Sequence, residues 1–452
     1  MTEVNRTSGV ASEAAILVRV LTDGDSAIHD PLAELEGLAE TAGARIVGRV
    51  TQRRETPDIA TYLGKGKVEE LRDLGEATEA DVVIFDNDLS PGQTRNLEKT
   101  TKLKVLDRTE LILDIFASRA KTHEARLAVE LAQLQYSLPR LKRMWTHLSR
   151  IKNGIGMRGP GEKQLEVDRR LVEKRIFDLR TELSSIERRK ERQVAARDDH
   201  MTVSLVGYTN AGKSTLLNAI TGAGVYAADK LFATLDTRTR RWQLPGWGPV
   251  LLSDTVGFIR HLPHQLIASF KATLEEARQA DLLLHVADAS NDAVDDQITA
   301  VNTVVEELGI QAKDTLLVLN KVDAVADPSR LAALENRYPN AIMVSAHNGD
   351  GMAKLANTVS AALSHGFMDA DVETHVGNGR LLAYLAAHSE ILSRQYRDDR
   401  VTIHCRVPRR FLARINDTDT TIAPHTSRNG HAGGGAVTHE PTTNTGGGMA
   451  VA

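Results

Sequence analysis

Short apolar runs alternate with helical patterns along the first quarter of the chain. AILVRVL (15–21), ARIVGRV (44–50), DVVIFD (81–86) and KVLDR (104–108) read as strands, and PLAELEGLAETAG (31–43) reads as a helix between the first two. That alternation predicts a small α/β domain over 14–116, behind a polar leader (1–13) expected to be disordered. Leu127, Leu131, Leu134, Leu138 and Leu141 then recur at spacings of 4, 3, 4 and 3, the seam of a heptad helix. A second seam runs through Leu165, Val172, Ile176, Leu179, Leu183 and Ile186, so 117–200 is expected to form an antiparallel helical hairpin, with Pro139 ending or kinking its first arm. From residue 202 the β/α alternation restarts. TVSLV (202–206), LLSD (251–254), DLLLHVAD (281–288), TLLVLN (315–320) and AIMVS (341–345) predict a doubly wound domain over 201–366. A helix over 379–392, then VTIHCRV (401–407) and FLARI (411–415), form a small appended α+β unit (367–415), and the Gly-rich stretch 416–452 is expected to be disordered.

Charge changes this picture locally. The whole chain of 452 residues has a net charge of −4, yet 139–197 holds 17 Lys and Arg against 8 Asp and Glu, a net +9. Within it the connection 139–161 ends in GIGMRGPG (154–161), too Gly-rich to be helical, and carries Arg140, Lys142, Arg143, Arg150, Lys152 and Arg158 without one acidic residue. Six cations without an anion attract phosphate, so these six are the candidate residues for binding a nucleic-acid backbone. The single cysteine, Cys405, excludes an intramolecular disulfide and a Cys-rich metal site. Aromatics at 4% argue against stacking platforms for single-stranded nucleic acid. With no apolar run long enough for a bilayer and no signal-peptide pattern, the expectation is a soluble cytoplasmic protein, acting as a monomer.

The chemistry-bearing residues cluster in the doubly wound domain. Gly207, Tyr208, Thr209, Asn210, Ala211, Gly212, Lys213 and Ser214, followed by Thr215, stand between a strand and a helix, the context of a phosphate-binding P-loop. Backbone N–H groups would close on the β-phosphate, Lys213 would reach the β/γ oxygens, and the Ser214 hydroxyl would ligate Mg²⁺. D-T-V-G (254–257) ends a strand, placing Asp254 to hold Mg²⁺ through water and the Gly257 N–H to sense a γ-phosphate. N-K-V-D (320–323) ends another. Asp323 would accept from the N1–H and N2–H₂ edge of guanine, which adenine does not offer; Asn320 and Lys321 would brace that loop, and Ser345-Ala346 would contact the base. These strings, in order and each at the carboxyl end of a strand, indicate a GTPase. Lys213, Thr234 and Gly257 are the candidate catalytic residues, with Thr234 the candidate switch threonine and third Mg²⁺ ligand after Ser214 and Asp254. Phe258 stands where many GTPases carry a water-orienting Gln, which predicts slow intrinsic hydrolysis unless another group places the water.

The chain resembles the HflX family of translation-associated GTPases up to about residue 415. GIGMRGPGEKQLEVDRR (154–170) is similar to that family's linker signature, and YLGKGK (62–67), FATLD (232–236) and DTVGF (254–258) are similar to further family features; Met157, Lys163 and Val167 stand where threonines are expected. The resemblance implies a GTPase that binds the 50S subunit, its hairpin loop projecting toward the peptidyl-transferase region. It further implies splitting of stalled or stress-arrested 70S ribosomes in the GTP form, with hydrolysis stimulated by the large subunit permitting release. Two other readings stand beside it: a GTP-gated rRNA-binding assembly or placeholder factor for the large subunit, and an ATP-dependent RNA-remodelling enzyme. For the last, the residues offer only the string Gly64-Lys65-Gly66-Lys67, which also reads as a turn before a helix.

Overall fold

The computed structural model describes residues 10–22, 30–144, 160–195, 201–222, 231–232, 237–245, 249–260, 276–307, 309–310, 315–364, 367–408, 415 and 419–425. Its first unit is a four-stranded sheet made of β1 (Ala14–Leu21), β2 (Arg45–Arg53), β3 (Val82–Phe85) and β4 (Lys104–Asp107), ordered β2-β1-β3-β4 and parallel throughout. Parallel strands are covered on both faces, so they read as unbroken apolar runs. Ile16, Val18, Val83, Phe85 and Val105 pack one face against Leu71 of α2 (Lys65–Ala77) and Leu97 of α3 (Pro91–Thr101). Leu17, Val82, Ile84 and Leu106 pack the other against Leu35 and Leu38 of α1 (Ala33–Ala42) and Leu111 and Ile115 of α4 (Arg108–Arg119). Gly64 caps α2, its N–H donating to Gln52 Oε1 at 3.0 Å, so the Gly/Lys string opens a helix.

The hairpin consists of α5 (His123–Met144) and α6 (Pro160–Ala195). Leu127, Leu131, Ile176, Leu179 and Leu183 are buried at its seam, with Leu134, Leu138, Val172 and Ile186 flanking them. The side chains of Leu141 and Leu165 lie outside the described residues. Two expectations are corrected here. Of the two roles expected for Pro139, ending the first arm is corrected: α5 continues through it to Met144, with the proline on the exposed side of the helix. The Gly-rich loop is shorter than expected, since Pro160 and Gly161 open α6, proline's fixed φ and missing N–H suiting a first helical position.

The third unit is a six-stranded sheet ordered β10-β9-β8-β5-β7-β6, formed by β5 (Thr202–Gly207), β6 (Arg238–Gln243), β7 (Pro249–Asp254), β8 (Leu282–Asp288), β9 (Thr315–Asn320) and β10 (Ile342–Met343). Only β6, at the edge, runs antiparallel. Helices α7 (Lys213–Thr221), α8 (Val294–Glu307), α9 (Pro328–Arg337) and α10 (Met352–Ser364) belong to this unit.

The last unit is an antiparallel sheet ordered β12-β13-β11-β14, built from β11 (Phe367–His375), β12 (Glu390–Arg397), β13 (Arg400–Pro408) and β14 (Thr421–Pro424), with α11 (Gly379–His388) packed on it. The helix expected over 379–392 stops at His388. The next residues, from Glu390, pair with β13 around a turn in which Asp398 takes φ +50°, so cross-strand pairing overrides the helical reading of Ile391 and Leu392. The tail expected to be disordered contributes β14, which adds to the free edge of β11; 426–452 lie outside the described residues.

Candidate functional site

Backbone geometry shapes the P-loop. Gly207 adopts φ +153°, and a Cβ there would stand 2.1 Å from the Val286 carbonyl oxygen; Gly212 adopts φ +89°, and its Cβ would fall 2.3 Å from Asn320 Nδ2. Neither position accepts a side chain. Lys213, buried at the first turn of α7, folds back to donate from Nζ to the carbonyls of Gly207 (3.1 Å) and Tyr208 (2.8 Å). Burial drives its ammonium down to about 8, against Asp254, which favours the charge. A Cβ on Gly257 would lie 2.9 Å from that same Nζ, so D-T-V-G closes directly over the lysine.

The Ser214 hydroxyl donates to Asp254 Oδ2 at 2.6 Å. The two are 40 residues apart in sequence and meet because β5 and β7 are parallel neighbours, Leu205 standing opposite Asp254. A hydroxyl and a carboxylate are hard oxygen donors, the set that Mg²⁺ takes. The Thr209 hydroxyl is buried with no hydrogen-bond partner among the described residues, a polar atom left for a ligand. Thr234 lies outside the described residues.

On the base side, Asn320 is the brace its position suggested. Its Nδ2 donates to the Ala211 carbonyl and its Oδ1 accepts from the Ala346 N–H, both at 3.0 Å, tying the P-loop, N-K-V-D and Ser345-Ala346 together. Lys321, at φ +62°, pairs with Asp288 Oδ2 at 2.7 Å, and Asp323 sits on the short turn Val322–Ala324, partly exposed. Ser345 Oγ accepts from the Asn348 N–H, shaping the loop beside the base site. Asp288 went unread in the sequence, although a carboxylate ending a buried strand was a usable signal.

The larger omission is a polar cluster that joins the first unit to the P-loop. Arg108, 3% exposed, donates to Asp86 Oδ1 (2.5 Å), Glu34 Oε1 (2.8 Å) and the Arg260 carbonyl (2.9 Å). The Tyr208 hydroxyl donates to Glu34 Oε1 at 2.6 Å and accepts from the Arg260 N–H at 2.7 Å. Burial opposes the Arg108 charge, but Glu34 and Asp86 hold the guanidinium above its ordinary range; burial and then Glu34 push the Tyr208 phenol up. Around this cluster Phe258 and Ile259 are buried in one apolar core with Leu35, Leu111 and Phe116. Phe116 also meets Phe232 edge-on, ring centroids 4.5 Å apart. Both Phe232 and the residues after D-T-V-G therefore press on the first unit. Partners up to 174 residues apart leave no local sequence signal.

The basic residues divide. Arg140 turns inward: Nη2 pairs with the buried Asp107 at 2.7 Å and donates to the Leu89 carbonyl, and its guanidinium stacks 3.5 Å above the Tyr136 ring. Burial pushes the Asp107 carboxyl up, while the Tyr136 hydroxyl and Arg140 oppose this. As a candidate phosphate ligand Arg140 is corrected, because a guanidinium paired to a buried carboxylate anchors the hairpin to the first unit. The side chains of Lys142 and Arg143, and all of Arg150, Lys152 and Arg158, lie outside the described residues.

A glycine-bounded loop that wraps a helix N-terminus, a serine on the carboxylate of the neighbouring strand and an asparagine tying that loop to N-K-V-D define a P-loop GTPase. Family models match in chain order: "GTP-binding GTPase N-terminal" over 29–117, "GTP-binding GTPase Middle Region" over 119–197 and "50S ribosome-binding GTPase" over 202–321. The chain is 51% identical to the GTPase HflX of Escherichia coli over 78% of its own length and 84% of that protein's. It is 44% identical to the GTPase HflX of Lacrimispora saccharolytica over 90% and 96%. A GTP-binding protein from the archaeon Sulfolobus solfataricus, solved with GDP, aligns at 24% identity and a TM-score of 0.41, covering 78% of this chain and 99% of that one. The chain belongs to the HflX GTPase family.

Proposed function

We propose that this GTPase binds the large ribosomal subunit through its hairpin, splits stalled or stress-arrested 70S ribosomes in its GTP-bound state, and is released after hydrolysis. The observation that carries the reading is the clamp between the switch segments and the unit that holds the hairpin. The segment following Gly257 packs on the first unit through Phe258 and Ile259, and Arg260 bonds Arg108. That unit in turn grips the hairpin through Asp107, Tyr136 and Arg140. A contact made or lost at the γ-phosphate thus has a packed route to the cationic hairpin, and packed elements pass on discrete shifts. The local charge of +9 suits rRNA phosphates, and the name of the matching family model, 50S ribosome-binding GTPase, supports the same partner.

In this reading Lys213 leaves the carbonyls of Gly207 and Tyr208 for the phosphate oxygens, and the Gly257 N–H reports the γ-phosphate. Ser214, Asp254 and Thr234 would hold Mg²⁺, which when bound neutralises charge developing on the phosphates. Asp323 selects guanine while Asn320 holds the three loops in register. Phe258 is 3% exposed and has no polar atom for a water, so hydrolysis is slow until the ribosome supplies or repositions the missing group.

The test is sucrose-gradient sedimentation of 70S ribosomes with the purified protein and either a non-hydrolysable GTP analogue or GDP. Subunits released only with the analogue are expected. Intact 70S in both arms, with the protein confined to free large subunits, would replace splitting with an assembly or placeholder role.

A further inference from the structure

We propose that the C-terminal sheet carries a divalent transition-metal site of the zinc class, formed by Asp371, His404 and His425 and supported by Asp369. Strand register builds it. Asp369 and Asp371 alternate onto the same face of β11; His404 on β13 stands opposite Asp371. On the other side of β11, the His425 N–H donates to the Asp369 carbonyl at 2.9 Å, continuing the β14 ladder by one residue. Two carboxylates and two imidazoles therefore occupy the corners of one patch. Its diagonals are already bonded: His404 Nε2 lies 2.9 Å from Asp369 Oδ1, and His425 Nδ1 lies 2.9 and 3.0 Å from the two Asp371 oxygens. The two rings stack with centroids 3.5 Å apart and planes 13° from parallel.

Three physical points favour a cation. First, one donor atom each from Asp371, His404 and His425 lies within 4.8 Å of the others. Tetrahedral zinc with bonds near 2.0–2.1 Å needs its donors about 3.3 Å apart, a closure within reach of small side-chain rotations. Second, the patch gathers two carboxylates and two stacked imidazoles, and one dication would offset both carboxylate charges while taking ring nitrogens as ligands. Mixed imidazole and carboxylate donors suit Zn²⁺ rather than Mg²⁺ or Ca²⁺, and Asp369, held also by Arg406 at 3.7 Å, is placed to orient His404 as an outer partner. Third, β14 has four residues, all exposed, so apolar burial does not explain its attachment to β11. The patch sits at its end and would staple it. All four residues are open enough to solvent for an ion to enter and for water to complete the shell.

The experiment titrates the full-length, metal-stripped, nucleotide-free protein with Co²⁺ in excess Mg²⁺, which occupies the hard-oxygen site at Ser214 and Asp254. Competition with Zn²⁺ and thermal melts follow. Saturable 1:1 binding with the ligand-field bands of tetrahedral Co²⁺, displaced by Zn²⁺, is expected. His404→Gln and Asp371→Asn should each weaken it at least tenfold while leaving GTP affinity, the control for folding, unchanged. A double variant His431→Gln/His439→Gln in the tail should bind normally. Absence of saturable binding, or binding lost in the tail variant and kept in the other two, would overturn the proposal.

Discussion

A buried ammonium is costly unless an anion meets it, and Lys213 illustrates this. Among the described residues its Nζ donates to two carbonyls, and burial outweighs the favourable charge of Asp254, so it drops to about 8 and the protonated lysine strains the folded state. Because the folded value lies below the ordinary 10.5, the unfolded chain binds the extra proton between about pH 8 and 10.5, and this residue's contribution to stability rises with pH through that window. Two outcomes follow. Lys213→Met should abolish GTP binding yet raise the melting temperature of the nucleotide-free protein at pH 7, by up to about 3 kcal/mol in unfolding free energy. GTP binding at pH 8.5 should take up a proton, seen in calorimetry as a heat that depends on buffer ionisation enthalpy, and this uptake should vanish below pH 7. On the base side, Asp323→Asn should move preference from guanine to xanthine nucleotides, and unchanged GTP selectivity would remove the base-recognition role.

Among elements, the hairpin rests on a narrow seam. Leu179 is fully buried between α5 and α6, so Leu179→Ala should cost about 2–5 kcal/mol, read as an earlier melt of the hairpin, with GTP affinity intact. The clamp is a different case. Arg108→Met leaves Glu34 without its buried cation and Asp86 with Arg19 alone, and should cost about 3–5 kcal/mol of stability. Tyr208→Phe is the milder probe, removing one hydroxyl that bridges Glu34 to Arg260. It should leave the fold intact and shrink the difference in ribosome affinity between the GTP-analogue and GDP forms; an unchanged difference would show that the clamp is only structural.

For the whole molecule, a net charge of −4 means that the rRNA binding proposed above has to run through a local patch. Neutralising Lys142, Arg143, Arg150, Lys152 and Arg158 should weaken ribosome binding and flatten its salt dependence while sparing GTP affinity. Arg140→Ala should behave differently, loosening the hairpin's anchorage at Asp107 with little change in salt slope. Equal salt slopes for the two variants would contradict this division.

What could be read from the chain alone was whatever is encoded over short distances. Strand runs, the two leucine seams, the P-loop, D-T-V-G and N-K-V-D are local patterns whose chemistry follows from residue type and spacing, and Asn320 bridges the loops its position suggested. Tertiary structure decided what depends on distant partners. Arg140 looked like a free cation until the fold brought Asp107 to it from 33 residues away; the packing of the Phe258 ring against the first unit likewise had no signal in the sequence. The tail looked disordered because β14, four residues in a Gly-rich and polar stretch, is too short to announce itself without the open edge of β11 beside it. Composition records how much charge and apolar surface a segment has, but only the packed chain settles which group faces which, and so which charges are spent inside the molecule and which remain for a ligand.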